Sequence, residues 1–202
     1  MKREKLEVKQ IVFLLFGILI VSLGTTICLK TSLGVDPFNA FSISISRLTH
    51  IGLGPVTLVL SLTVMAIIFV LDKRHIGLGS FYTMLSIGYF INFFDMLLPD
   101  IQLNLLSLFN ILIFIMGMLV TCFGAAMYFE ADLGLAPYDS IAFVVSKYTK
   151  KENHICRVFV DIVVALIALF LGGPISLGTI ILAFGLGPFI NYFRKQIQHF
   201  SS

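Results

Sequence analysis

The sequence predicts an all-α polytopic membrane protein: six transmembrane helices as two inverted three-helix repeats, each with a short re-entrant or interfacial helix. Three observations predict it. The chain carries six apolar runs of bilayer length, its basic residues fall on one side of those runs, and its first half matches its second at an offset of 100 positions.

The apolar runs come first. Of 202 residues, 58% are hydrophobic, 20 are Phe and only 12% are charged, and the mean hydropathy is +1.00. A water-soluble domain of this size needs more polar surface, so residues 1–202 read as a single membrane domain. The basic start, MKREKLEVK, leads into Ile11–Leu29, an uncharged stretch of 19 residues. That stretch is long enough to span, and no small-residue cleavage site precedes Lys30, so it reads as the first span and not as a signal peptide. The others are Pro55–Leu71, Ile76–Phe94, Leu105–Phe129, Ile155–Leu171 and Ser176–Phe193. Asp72-Lys73-Arg74-His75 separates the second from the third, Pro99-Asp100 closes the third, and Gly172-Gly173-Pro174 parts the fifth from the sixth. Helices are required because backbone polar groups in lipid must be satisfied within the segment.

Charge sets the direction. With the N-terminus inside, the inner face holds Lys2, Arg3, Lys5, Lys9, Lys73, Arg74, Lys147, Lys150, Lys151, Arg157, Arg194 and Lys195, and the outer face only Lys30 and Arg47. Twelve against two predicts a multi-pass protein with both termini cytoplasmic. The same bias accounts for the basic face without invoking nucleic acid.

The repeat runs from about 11–97 to about 105–194. Gly17, Gly24, Gly34 and Pro37 meet Gly117, Gly124, Gly134 and Pro137 at an offset of 100, and LGVDPFNA (33–40) meets LGLAPYDS (133–140). After one residue is lost, Gly79, Gly88 and FINFF (90–94) meet Gly178, Gly187 and FINYF (189–193) at 99. Shared Gly, Pro and Asn in register exceed what two apolar helices share by chance. Three spans per half force the second half to enter the membrane from the opposite face.

Each motif opens a short segment, Pro37–Thr49 or Pro137–Thr149, whose 13 residues reach about 20 Å as a helix, too short to cross. Pro at the first position and Asp36 as N-cap mark a helix start. Phe38, Phe41, Ile45 and Leu48 share one face, and Asn39, Ser42, Ser46 and Thr49 the other; Tyr138, Ile141, Val145 and Tyr148 oppose Asp139, Ala142, Ser146 and Thr149. Two readings remain: an interfacial helix with its polar face to water, or a re-entrant half-helix whose polar face lines a cavity. In the second, the positive N-terminal end suits an anionic group.

Candidate substrate contacts are Asp36, Asn39, Ser46, Asn92, Asp139, Ser146 and Asn191. Asp161, inside the fifth span and one turn after Arg157, is a candidate for ion coupling, with a shallow Arg157–Asp161 pair as the bland alternative. Gly24 and Gly124, each seven residues after another glycine, predict close packing of the first and fourth spans. Cys28, Cys122 and Cys156 show neither disulfide nor metal spacing and read as packing residues. His50, His75, His154 and His199 sit at span ends, and no G-x-S-x-G or H-E-x-x-H occurs. No catalytic residue, cofactor or metal is expected.

The LGxxP motif, its repetition and the length resemble the YczE/YyaS/YitT group of bacterial membrane proteins, the YczE-like members above all. The resemblance implies a location in the bacterial cytoplasmic membrane and a family with no settled activity; it carries over no site residue. The sequence therefore predicts a secondary transporter or permease for a small solute. A substrate-binding subunit of an energy-coupling vitamin importer and a non-transporting accessory protein are the alternatives. Expected partners are membrane lipids and a small-molecule substrate, and the symmetric glycine faces allow a homodimer.

Overall fold

The computed structural model describes residues 8–72, 76–100 and 107–201. Lys2, Arg3, Lys5, Lys73, Arg74 and His75, and the expected start of the fourth span at Leu105, lie outside them. The described residues form eight helices: α1 (Val8–Lys30), α2 (Pro37–Thr49), α3 (Leu53–Leu71), α4 (Leu78–Leu97), α5 (Leu108–Glu130), α6 (Pro137–Thr149), α7 (Asn153–Phe170) and α8 (Leu177–Ser201).

Five of these, α1, α3, α5, α7 and α8, are long and apolar enough to cross a membrane. Although α4 has 20 residues, it is not among the five: Ser80, Thr83, Ser86, Asn92 and Asp95 dilute its apolar content. Leu15, Phe16, Phe69, Val70, Phe93, Phe159, Phe170 and Phe184 all stand exposed around the bundle. Apolar surface of that extent suits lipid and not water. The protein is a multi-pass, all-helical membrane protein.

The two short helices begin and end where the sequence places them. Asp36 caps α2 by accepting a hydrogen bond from the Asn39 backbone N–H at 3.1 Å. Ala136 stands at the same position of α6 and supplies no side-chain cap. Both helices end in a left-handed residue, His50 and Lys150. Ser46 Oγ and Ser146 Oγ then close the following turns, donating to the carbonyls of Ile51 and Lys151, both at 2.6 Å.

The core is the crossing of α1 with α5, and the four paired glycines make it. A Cβ at Gly17 would lie 2.9 Å from the Gly124 carbonyl, and one at Gly124 2.7 Å from the Gly17 carbonyl. One at Gly24 would lie 2.7 Å from the Gly117 carbonyl, and one at Gly117 3.0 Å from the Gly24 carbonyl. Only hydrogen fits between these backbones, which is the small-residue packing that lipid-embedded helices use.

Around that crossing every contact has a counterpart. α1 packs on α4 and α5 on α8; α3 packs on α4 and α7 on α8; α2 packs on α3 and α7, and α6 on α7 and α3. The motif loops carry this exchange between halves. The Leu33 carbonyl accepts from Gly178 N–H at 2.9 Å, and the Leu133 carbonyl from Gly79 N–H at 2.7 Å. Each loop thus holds the start of the other half's last helix. Gly34 (φ 124°) and Gly134 (φ 107°) make the turns, where a side chain would be strained and would strike Thr179 or Gly77.

Candidate functional site

The first turns of α2 and α6 meet at the centre of the bundle. Phe38 and Tyr138 stack there, ring centroids 4.7 Å apart and planes 23° from parallel. The opposite ends of both helices, with Leu48 58% and Tyr148 63% exposed, reach the surface. The face of α2 with Asn39 and Ser42 is buried, and Phe41, Ile45 and Leu48 face outward.

A cavity of about 90 Å³ lies beside the stacked rings, and all eight helices contribute to its wall. Its polar lining includes Thr25, Asp36, Asn39, Thr83, Asp139 and Arg157, with further hydroxyls of Ser61, Thr121, Tyr128 and Tyr138. Ile18, Val21, Met84, Ile87, Leu186 and Ile190 supply the apolar part.

The second half provides an ion cluster. Arg157 Nη1 donates to Asp139 Oδ1 at 2.9 Å, and its Nε lies 3.8 Å from Asp161 Oδ2. That gap exceeds a hydrogen bond, and neither Arg157 Nε nor Asp161 Oδ2 has a hydrogen-bond partner among the described residues. Tyr138 Oη donates to Asp161 Oδ1 at 2.5 Å, and Tyr128 Oη donates to Asp139 Oδ2. Asp161 is only 1% exposed. The Arg157–Asp161 pair is therefore buried inside the bundle, and Tyr138 ties it to the neighbouring short helix.

In the first half the acid stands elsewhere. Asp36 accepts from the Asn39 backbone through Oδ1 and from Asn39 Nδ2 through Oδ2 at 2.6 Å. It makes no ion pair among the described residues. The N-terminal ends of both short helices are thus already served by carboxylates of the chain, Asp36 at the N-cap of α2 and Asp139 at the third position of α6. An external anion would have to displace one of them, so the geometry does not favour the anionic group that the helix ends alone suggest.

Of the residues singled out in the sequence, Asp36, Asn39 and Asp139 line the cavity and Asp161 stands directly behind it. Ser46 and Ser146 serve the far ends of their helices, away from it. Asn92 is half-buried outside the lining and Asn191 is exposed. Pro37 and Pro137 begin the two short helices. Phe38, Tyr138, Tyr128 and Arg157 are the site residues the sequence reading did not single out. Phe38 and Tyr138 counted there as apolar faces, and Arg157 as a cytoplasmic charge. The available signal for the rings was their register, an aromatic pair one hundred positions apart; the Arg157–Asp161 spacing was read, but only as the bland alternative to a site.

Three pairs at the rim add to the charge map. Lys30 bridges Asp95 at 3.0 Å and Asp100 at 2.7 Å. Glu130, its counterpart, pairs with Arg194. Lys147 of α6 reaches Asp72 after α3 at 2.8 Å.

The eight helices of the described residues, an apolar exterior and a small, mainly apolar cavity with charged groups in its wall define a class: polytopic membrane proteins with a central cavity. The chain belongs to the family of unknown function DUF6198, whose match covers residues 8–195. It is 25% identical over 185 residues to the uncharacterized membrane protein YczE of Bacillus subtilis, covering 91% of this chain and 85% of the relative. An uncharacterized protein of Haemophilus influenzae is 28% identical over 192 residues, covering 95% and 86%. The uncharacterized protein YyaS of Bacillus subtilis is 24% identical over 188 residues, covering 92% and 93%. No solved structure matches the chain. The YczE-like resemblance read from the repeated motif therefore holds.

Proposed function

We propose that the protein is a secondary transporter or permease for a small solute, working by alternating access between two inverted repeats. The observation that carries this reading is the meeting of the first turns of the two short helices at one cavity that all eight helices line. In this reading α2 and α6 are re-entrant, α4 crosses as a sixth span, and both termini lie in the cytoplasm of a bacterial cell. α4 tolerates its polar residues because Ser80 and Thr83 are buried against protein and not lipid. Solute binds between the halves, and rocking of one half against the other opens the cavity to each side in turn. A central cavity bounded by every helix supports transport over a scaffolding role, which has no use for it.

Two experiments test the proposal. Single cysteines replacing Leu48 and Tyr148, in a background lacking Cys28, Cys122 and Cys156, are labelled in intact cells with a membrane-impermeant thiol reagent. Position 48 is expected to label from outside, and position 148 only after permeabilisation. Labelling of both from one side breaks the inverted topology. In proteoliposomes, flux of a panel of small solutes is expected for at least one solute, with Asp139→Ala reducing it; flux no greater than in empty liposomes across the panel overturns the transport reading.

A further inference from the structure

Four hydroxyls in the cavity wall are acceptors whose protons are already committed. Thr83 Oγ1 donates to the Gly79 carbonyl at 2.5 Å, and Thr121 Oγ1 to the Gly117 carbonyl at 2.9 Å. Tyr128 and Tyr138 donate to Asp139 and Asp161. Each of these hydroxyl oxygens keeps lone pairs and has no proton left to offer. Thr83, Thr121, Tyr128 and Tyr138 all stand in the lining.

The charges point the same way. Asp36, Asp139 and Asp161 gather at the site against the single guanidinium of Arg157. Arg157 pairs closely with Asp139 and at longer range with Asp161, which leaves Asp36 as the carboxylate of the three with no ion pair among the described residues. Each Asp36 oxygen accepts one bond from Asn39 and retains capacity for another. Beside it the stacked rings of Phe38 and Tyr138 offer an aromatic wall, the partner a small organic cation prefers after a carboxylate. At about 90 Å³ the cavity holds a ligand of a few heavy atoms.

We propose that the central cavity binds small monovalent organic cations, protonated or quaternary amines, with Asp36 as counter-ion and the Phe38–Tyr138 pair as wall. Ammonium N–H groups meet the acceptor-only hydroxyls, and the positive charge meets the unpaired carboxylate. This assignment rests on reading the cavity as the solute site, and it names the class of that solute.

The test uses the full chain in nanodiscs and measures binding by calorimetry at fixed ionic strength. The probes are methylammonium and tetramethylammonium, with urea and acetate as neutral and anionic matches. Saturable binding of at least one ammonium ion and none of urea or acetate is expected. Asp36→Asn keeps the helix cap and removes the charge, and should weaken ammonium binding roughly tenfold or more. Phe38→Leu should weaken tetramethylammonium more than methylammonium, because it removes one ring of the wall. Preference for acetate, no ammonium binding by the wild-type protein, or an Asp36→Asn variant that binds as well as wild type overturns the proposal; the wild-type selectivity decides even if a variant fails to fold. Flux of the same probes separates the two readings. Ammonium binding without flux leaves the ligand class standing and defeats transport, whereas flux of acetate alone does the reverse.

Discussion

The two halves of this protein share one backbone plan and differ in the chemistry placed on it. In the first half the central positions are Cys28, Asp36, Phe38, Asn39, Thr57 and Ser61. One hundred residues on they become Tyr128, Ala136, Tyr138, Asp139, Arg157 and Asp161. The first set is neutral but for one capping carboxylate, which is held by its own helix turn. The second is a network of two acids, one base and two phenols linking α5, α6 and α7. Symmetry supplies the frame and asymmetry the charge. A buried network of this kind is sensitive to the loss of any member, because the remaining charges stay in a low-dielectric site.

That difference is broken most directly at Arg157. Arg157→Met leaves Asp139 and Asp161 buried without a cation and should destabilise the fold by about 3–5 kcal/mol. Its counterpart, Thr57, is fully buried with a hydroxyl that has no hydrogen-bond partner among the described residues. Thr57→Val should be neutral or stabilising by up to about 1 kcal/mol. Thermal unfolding in nanodiscs checks both, and the contrast between them matters more than either value. Adding Asp139→Asn and Asp161→Asn to Arg157→Met should recover part of the loss. A charge-free centre as unstable as Arg157→Met alone would mean that packing, and not pairing, holds the cluster.

Next in size is the feature the halves share. Gly24→Ala and Gly124→Ala force a methyl against backbone, within 2.7 Å of the Gly117 and Gly17 carbonyls respectively. Each should cost roughly 1–3 kcal/mol, since two packed helices must separate. The near-equality of the two is the prediction, because the crossing is shared. Gly187 has no atom within 4 Å of a built Cβ, so Gly187→Ala should be tolerated in the same melting assay. A large difference between Gly24→Ala and Gly124→Ala would show that the crossing is not equivalent from its two sides.

How much of this was legible beforehand follows from what the membrane imposes. Five apolar helices, the two short helices to the residue and the role of the glycines followed from constraints that act locally along the chain: apolar length, Pro at a helix start, small residues where helices cross. Asp36 as N-cap followed from its place before Pro37. The pairing of Tyr138 with Asp161 did not, because it joins two helices whose relative rotation no periodicity specifies. Arg157 was obscured by a rule that works too well: basic residues near a span end count as cytoplasmic, and nothing in the count marks the one that turns inward. Ser46 and Ser146 misled for the opposite reason. Their register is right, but a serine late in a helix is as useful to a closing turn as to a cavity, and both close turns. α4 shows the same limit: the polar residues that lower its hydropathy are partly those buried inside the bundle, where they meet protein.

The cap itself sharpens the comparison further. Asp36→Ala should cost about 1 kcal/mol and Asp36→Asn only a few tenths, since asparagine caps nearly as well. The position one hundred residues on is already alanine, so α6 has the uncapped start that Asp36→Ala would give α2. A cost for Asp36→Ala equal to that of Asp36→Asn would mean that the carboxylate's charge, and not its hydrogen bond to Asn39, is what the first half uses.

The smallest effect is expected at the rims, where the halves carry mirror-image pairs of opposite polarity. Lys30 at the end of α1 meets Asp95 of α4, and Glu130 at the end of α5 meets Arg194 of α8. The register that relates 30 to 130 and 95 to 194 therefore swaps the sign of both partners, which preserves attraction while moving the base to the other helix. Each pair ties the first helix of a half to its last at a surface where water reaches one partner: Asp95 is half-exposed, and so is Arg194. Solvent screening keeps such pairs near 0–1 kcal/mol. Lys30→Gln and Arg194→Gln should accordingly lower the melting temperature slightly, by similar amounts, and the loss should shrink as salt is raised from low to physiological ionic strength. Because attraction does not depend on which helix carries the base, Lys30→Glu combined with Asp95→Lys, in a background where Asp100→Asn removes the second acid that Lys30 bridges, should melt close to that background despite reversing the polarity. If that swap is as damaging as either single change, the sign at each rim is fixed by something beyond the pair.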